Sequence, residues 1–313
     1  MKALMKLTDL TGDLGLLDIE EPVCGKSDVK VEVKACSVCG TDIHIMHGLY
    51  PWGESVVLGH EYSGIVIDVG SKVKKFRIGD RITGSGSGGY AKYLTVDENS
   101  FVFNLPENIS FEEGAFFEPL SACTHAVLDH SGILPTDIVL VSGPGSIGLC
   151  AMQIAKVSGA VVIVAGTSVD KKRLALARQL GADYAVNVQE TNLEDYVMDL
   201  TGGRALDNVL ECSGSQSALT SGLKLLKREG TFTQIGLFTK SVEIDLDSIV
   251  YRQIRFENSI GFVKSSWVRS IELVRTGKVN VKSLISHKLP LSDWRRGFEV
   301  CENKEGLKVV IIP

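Results

Sequence analysis

From about residue 137 the chain alternates short apolar runs with amphipathic ones: DIVLVSG, SIGLCAMQIAKVSG, AVVIVAG, DKKRLALARQLG, and so on to GTFTQIGLF. Apolar runs of strand length, bounded by glycine and alternating with helical periodicity, predict a doubly wound parallel sheet. Earlier in the chain the period is two. DVKVEVKAC and EYSGIVIDVG alternate polar and β-branched positions and predict a largely antiparallel, β-rich domain. The C-terminal stretch from LISHKLPL to VVIIP holds a strand, an amphipathic helix and a closing strand, which complete the first domain more naturally than they extend the second. The predicted organisation is therefore an α/β chain. A β-rich domain of residues 1–122 and 277–313 is wrapped around a parallel-sheet domain of residues 123–276. A length of 313 residues suits two cores better than one. One segment breaks the pattern: residues 84–89, GSGSGG, read by composition as a flexible linker.

Composition narrows the partners. A hydrophobic share of 44% and a charged share of 23% are ordinary for a soluble globular chain. The net charge of −5 and pI near 5.8 offer no basic footprint for nucleic acid or an acidic membrane. The start MKALMKLTDLTG lacks the pattern of a secretory signal, and no apolar run approaches the ~20 residues of a membrane helix. A cytoplasmic protein is expected. The seven cysteines are odd in number and scattered, which argues against a disulfide framework.

Gly143-Pro144-Gly145-Ser146-Ile147-Gly148 lies between an apolar strand and a helix. In that setting G-x-G-x-x-G reads as the phosphate loop of a Rossmann domain. The first glycine makes the turn, the second admits a pyrophosphate, and the third lets helix pack on strand at a helix N-terminus that favours anions. The alternative is a packing loop that binds nothing. The second strand ends in Gly166-Thr167-Ser168 where an acid would hold a free ribose 2′-hydroxyl. Asp170 comes next, then Lys171, Lys172 and Arg173. The missing acid and nearby cations lean toward NADP over NAD. Alternatively, Asp170 caps the helix or turns to the ribose itself.

ACSVCGTDIH supplies Cys36, Cys39, Thr41, Asp42 and His44; GHEYSG supplies His60 and Glu61; AFFEPLS supplies Glu118. Thiolate, imidazole and carboxylate are ligands of a borderline-soft cation such as zinc, and catalytic zinc takes three of them. The competing readings are a Cys36–Cys39 redox pair, a core histidine at His60, and surface acids at Glu61 and Glu118.

GHEYSGIVIDVGSKV, CGTDIH, Gly79-Asp80, EPLS, GPGSIG and SLISHKLPL together resemble the zinc-containing medium-chain alcohol and polyol dehydrogenases, over essentially the whole chain and in the family's order. Glu118 leans the resemblance toward the sorbitol and L-threonine dehydrogenase branch. The resemblance implies a GroES-like catalytic domain beside the Rossmann domain, and hydride transfer between a secondary alcohol (a polyol, sugar or threonine-like molecule) and NAD or NADP. It implies Cys39 and His60 as zinc ligands, with Glu61 and Glu118 open for the remaining carboxylate contact. Asp42 orients His60, and Thr41 and His44 pass the substrate proton toward solvent. Gly143, Gly145, Ser146, Ile147, Gly148, Thr167, Ser168, Arg173, Gly236 and Leu237 become the cofactor contacts. His47, Tyr50, Trp52, Glu118 and Lys264 are substrate-pocket candidates. The family's four-cysteine lobe for a second, structural zinc is missing between GDRIT and GGYA, so one zinc site is expected. The GSGS composition favours engineered excision over natural deletion. That lobe sits near subunit contacts in the family, which puts a tetramer in question, while IRFENSIGF offers a sheet edge for a homodimer. The rival functions are a zinc-free quinone or enoyl reductase of the same fold and a non-catalytic NADPH-binding protein.

Overall fold

The computed structural model describes residues 1–8, 10–50, 55–238 and 240–313. They fall into two compact units, Met1–Glu118 with Val281–Pro313, and Pro119–Asn280.

In the second unit six strands form one parallel sheet. Across the sheet they run Tyr184–Asn187, Val161–Gly166, Ile138–Ser142, Leu206–Glu211, Leu226–Gln234 and Arg255–Asn258. In chain order this is 3-2-1-4-5-6, the doubly wound order whose reversal lies beside the first strand. Every residue of Ile138–Ser142 is buried, which is why these strands read as continuous apolar runs rather than alternating ones. The helix Ser146–Val157 is buried from Gly148 to Ala155. A Cβ on Gly148 would stand 1.9 Å from Gly143 O, so the third glycine of the loop is required by that close approach.

The first unit is β-rich. Asp28–Ser37 pairs antiparallel with Glu61–Val69, with Tyr93–Asp97 and with the closing strand Lys308–Ile312. Ile285–Pro290 adds to that closing strand, and Arg81–Ser85 with Val102–Asn104 extends the other side. Along Asp28–Ser37 burial alternates until Ala35, then Cys36 and Ser37 are both covered. The alternation ends where the strand enters the densest polar cluster of the unit.

Residues 84–89 are not a slack linker. Gly84 and Ser85 end the strand Arg81–Ser85, opposite Tyr62 and Glu61, and Gly84 also pairs with Val102. The turn that follows is hydrogen-bonded: Gly88 N–H donates to Val57 O at 3.1 Å and Gly89 N–H to Gly59 O at 2.9 Å. A Cβ on Gly89 would lie 2.5 Å from Cys36 Sγ, and one on Gly84 would lie 2.9 Å from Phe101 O. At these two positions glycine provides space, not freedom. Among the described residues no helix is long and apolar enough to cross a membrane.

Candidate functional site

Two chain segments carry the candidate ligands of the polar cluster. The short helix Gly40–Met46 starts at Cys39, whose N–H donates to Asp42 Oδ2 at 2.9 Å, the reciprocal half of a helix cap. Asp42 Oδ2 also accepts from the Tyr90 hydroxyl at 2.8 Å, which leaves Oδ1 turned to His60 Nδ1, 3.6 Å away. That separation is an ion-pair distance rather than a hydrogen bond. Thr41 Oγ1 is 3.6 Å from Cys39 Sγ, and His44 follows three residues later on the same helix, partly buried. His60 and Glu61 enter from the start of Glu61–Val69. Gly59 turns the chain there at φ +85°, where a Cβ would meet Tyr90 N at 2.7 Å.

Ligand atoms of Cys39, His60 and Glu61 all lie within 4.8 Å of one another. Three ligands of one tetrahedral zinc stand about 3.3–3.6 Å apart, so about an ångström of closure completes the set. Glu61 is fully buried. Its Oε2 accepts from the Ser37 hydroxyl and faces Lys308 Nζ at 2.5 Å, while its Oε1 is buried with no hydrogen-bond partner. A buried carboxylate oxygen lacking a donor is costly, and a cation between it, the thiol and the imidazole removes that cost. The residues therefore fit a divalent, borderline-soft ion.

The titrating groups point the same way. Burial works to lower the basicity of His60, but Asp42 and Cys39 outweigh it and raise its pKa to about 12. Burial and then the Glu61 charge hold Cys39 as a thiol above its ordinary range. Burial and then Glu61 push Glu118 up to about 7. Burial opposes the charge on Lys308, yet Glu61 and Cys39 keep it firmly protonated. Without a metal, the cluster stores protons where a divalent cation would place its charge.

Lys308 and Ser37 were not foreseen. Lys308 is the first residue of an otherwise apolar strand, and its position follows from antiparallel pairing of Val310 with Ser37. No local signal marks it. Of the substrate-pocket candidates, His47 is exposed and paired with Glu302 at 2.6 Å; Tyr50 and Lys264 are exposed; Trp52 lies outside the described residues.

In the second unit a cavity of about 780 Å³ opens along the carboxyl ends of the parallel strands, lined by Gly143, Gly166, Thr167, Asp170, Ser213 and Lys224 among others. Of the cofactor positions read from sequence, Gly143 and Thr167 line it. Gly145 is the N-cap of the helix begun by Ser146 and Ile147, and a Cβ there would meet nothing within 4 Å, as approach by a phosphate requires. Ser168 N–H donates to Gln189, Gly236 packs against Gly214 N, and Leu237 is 65% exposed. Asp170 lines the cavity, accepting from Thr167 N–H at 3.1 Å and Thr167 Oγ1 at 2.9 Å. Arg173 Nη1 lies 3.3 Å from the same carboxylate.

Residues 25–107 match the alcohol dehydrogenase GroES-like domain and residues 146–276 the zinc-binding dehydrogenase domain. A sorbitol dehydrogenase from Halalkalibacterium halodurans is 35% identical, covering 100% of this chain and 99% of that protein. The chain belongs to the zinc-binding dehydrogenase family. A D-arabitol-phosphate dehydrogenase from Enterococcus avium is 34% identical, covering 99% of this chain and 97% of the relative. A solved family structure from Sinorhizobium meliloti 1021, bound to NADP, superposes with a TM-score of 0.89 at 29% identity, covering 100% of this chain and 99% of that one. The alignment with the sorbitol dehydrogenase runs over 343 positions against the 313 residues here, so the relative carries at least thirty residues that this family member lacks.

Proposed function

We propose that the chain is a zinc-dependent dehydrogenase that moves a hydride between a secondary alcohol and a nicotinamide dinucleotide. Cys39, His60 and Glu61 hold the metal. The observation that carries this is the orphaned Glu61 Oε1 beside the thiol and imidazole, in a chain whose other unit keeps the dinucleotide loop. The ion, when bound, supplies Lewis acidity that makes an alcohol proton easier to lose.

The chain's own groups do the rest. Asp42, fixed by Cys39 N–H and Tyr90, orients His60 and keeps its metal-facing nitrogen available. Lys308 and Ser37 take one Glu61 oxygen and turn the other toward the ligand set. Thr41, beside Cys39 Sγ, and His44 on the same helix are the proton route we assign. Glu118, titrating near 7, can hold or release a proton at working pH without being a direct ligand.

For the cofactor we infer NAD. Arg173, which suggested a 2′-phosphate from sequence, is paired with Asp170, and Asp170 is the charged residue of this pair that lines the cavity. A carboxylate there suits ribose hydroxyls and repels a phosphate. A polyol or its phosphate is the substrate class suggested by the relatives. The outer edge of Arg255–Asn258 is the contact through which we infer a homodimer.

The test is a turnover screen of polyols, polyol phosphates, L-threonine and simple alcohols with NAD and NADP in parallel, before and after chelation. Alcohol-dependent reduction of NAD, abolished by chelation and restored by zinc, is expected. Oxidation of NADPH by quinones that survives chelation, or dinucleotide binding with no turnover, overturns the proposal.

A further inference from the structure

The second unit carries a pair of histidines that the dehydrogenase reaction leaves unused. The helix Phe117–His125 runs into a π-helical turn, Ala126–His130, closed by Ser131 N–H donating to Ala126 O at 3.0 Å, five residues back. On a continuous α-helix, positions five apart point about 140° from each other. The wider turn brings them together: His125 and His130 meet edge to face, ring centroids 4.5 Å apart, with Nε2 facing Nε2 at 3.1 Å. Such turns are frequent at functional sites.

Each ring is backed by a carboxylate. His125 Nδ1–H donates to Asp129 Oδ2 at 2.7 Å, and Arg269 from the helix Lys264–Arg275 holds that carboxylate at 2.8 Å. His130 Nδ1 faces Glu257 Oε2 at 4.0 Å. With its Nδ1 proton committed to Asp129, His125 directs an Nε2 lone pair at His130. In the metal-free chain His130 fills the gap with its own Nε2 proton. The imidazole–carboxylate pairing is the one that orients histidine ligands of metals. Two zinc–nitrogen bonds of about 2.0–2.1 Å at a tetrahedral angle put their nitrogens about 3.3 Å apart, within a few tenths of the spacing present. The side chains of His125 and His130 are 18% and 31% exposed, so solvent can complete the coordination.

We propose that His125 and His130 form a second divalent-cation site, selective for imidazole-seeking ions such as zinc, nickel or copper(II). Asp129 and Glu257 support the two rings from behind. On binding, the ion takes the place of the bridging proton, which moves within the His130 ring to Nδ1 and toward Glu257, so no proton need leave. Through Asp129 and Arg269 the ion also ties the π-turn to the helix Lys264–Arg275. The site uses no residue of the Cys39–His60–Glu61 set and does not depend on the reaction proposed above.

The experiment uses tag-free, full-length protein preloaded with one equivalent of zinc, titrated calorimetrically with more zinc. The imidazole nitrogens are followed by NMR, and thermal melting of each metal-free variant checks folding. A second binding event is expected, with both Nε2 resonances shifting and the Nδ1–H of His125 retained. The event should vanish in H125Q/H130Q and weaken about 10–100-fold in D129N, the usual effect of removing a carboxylate behind a ligand. The absence of a second event in the parent chain, or an undiminished one in a folded H125Q/H130Q variant, overturns the proposal.

Discussion

Replacing Lys308 by methionine keeps most of the side-chain volume and removes one charge. The ammonium is 5% exposed and sits 2.5 Å from Glu61 Oε2, whose side chain is fully buried. Phe116 lies beneath it at 5.3 Å, so the methionine thioether has an aromatic surface to pack on and little packing is lost. What remains is a buried carboxylate with one Ser37 hydroxyl for company and Glu118 nearby. Breaking a buried pair from one side costs about 3–5 kcal/mol, a large part of a domain's stability. That cost belongs to the metal-free state. A divalent ion against Glu61 Oε1 restores positive charge to the same carboxylate, so the zinc-bound variant loses less. By linkage, whatever the ion recovers appears as tighter zinc binding, about tenfold for each 1.4 kcal/mol. The assay is urea unfolding in EDTA and in zinc, with zinc affinity taken from competition with a chelating dye. E61Q added to K308M should return most of the loss. A metal-free loss below about 1 kcal/mol, or the same loss with and without zinc, would refute the reasoning.

Three further outcomes follow from the same cluster and its surroundings. Glu118 binds its proton more tightly folded than unfolded, so its charge costs stability as pH rises from about 4.5 through about 7; metal-free E118Q, measured by denaturant titration at pH 4 and pH 8, should match the parent at pH 4 and exceed it by up to about 3 kcal/mol at pH 8. Zinc uptake near pH 7.5 should release at least one proton from the Cys39–His60 pair, so affinity falls with acidity; calorimetry in buffers of differing ionisation enthalpy counts the protons, and a count near zero contradicts the charge states described above. G89A forces a methyl to within 2.5 Å of Cys36 Sγ and should cost about 1–3 kcal/mol, whereas S87A should change stability by less than about 0.5 kcal/mol; equal, small effects in the two unfolding curves would return residues 84–89 to the status of a linker.

How much of this could be read from the chain depended on the range over which each signal acts. The parallel sheet was legible because VVIVAG and the first four residues of IVLVS form unbroken apolar runs, a local consequence of burial on both faces. Cys39, Asp42, His60 and Glu61 lie in two short motifs, and the structure brings them together. Choosing between Glu61 and Glu118 as the nearer partner of the thiol was beyond spacing alone. It needed the strand pairing that puts Lys308 and Ser37 on one Glu61 oxygen. The glycine run misled for a different reason. Composition cannot separate glycine chosen for freedom from glycine chosen because sulfur and carbonyl oxygen occupy the space a methyl would need, as at Gly89 and Gly84. The His125–His130 pair was equally hidden, since a five-residue spacing becomes a contact only on a π-turn. The lean toward NADP rested on the local run Lys171-Lys172-Arg173, whereas the placement of Asp170 on the cavity and its pairing with Arg173 are visible only in the fold.

The metal-free cluster is arranged against itself, and that arrangement bears on folding as well as chemistry. Glu61 Oε1 is buried without a donor, Asp42 and Cys39 favour a protonated His60, and burial and then Glu61 push Glu118 toward neutrality. The unpaired Glu61 oxygen and the suppressed ionisation of Glu118 are unfavourable, and added positive charge at the cluster would relieve both. A cluster tuned for stability in the absence of an ion would replace these groups with apolar side chains of similar volume, which often costs nothing. Lys308 shows why the frustration does not unfold the unit. A fixed ammonium neutralises one side of Glu61 permanently, so the strands Asp28–Ser37, Glu61–Val69 and Lys308–Ile312 can close around the site before the metal arrives. If the proposed site holds the ion, folding and metal loading would be coupled but separable, with Lys308 the residue that separates them.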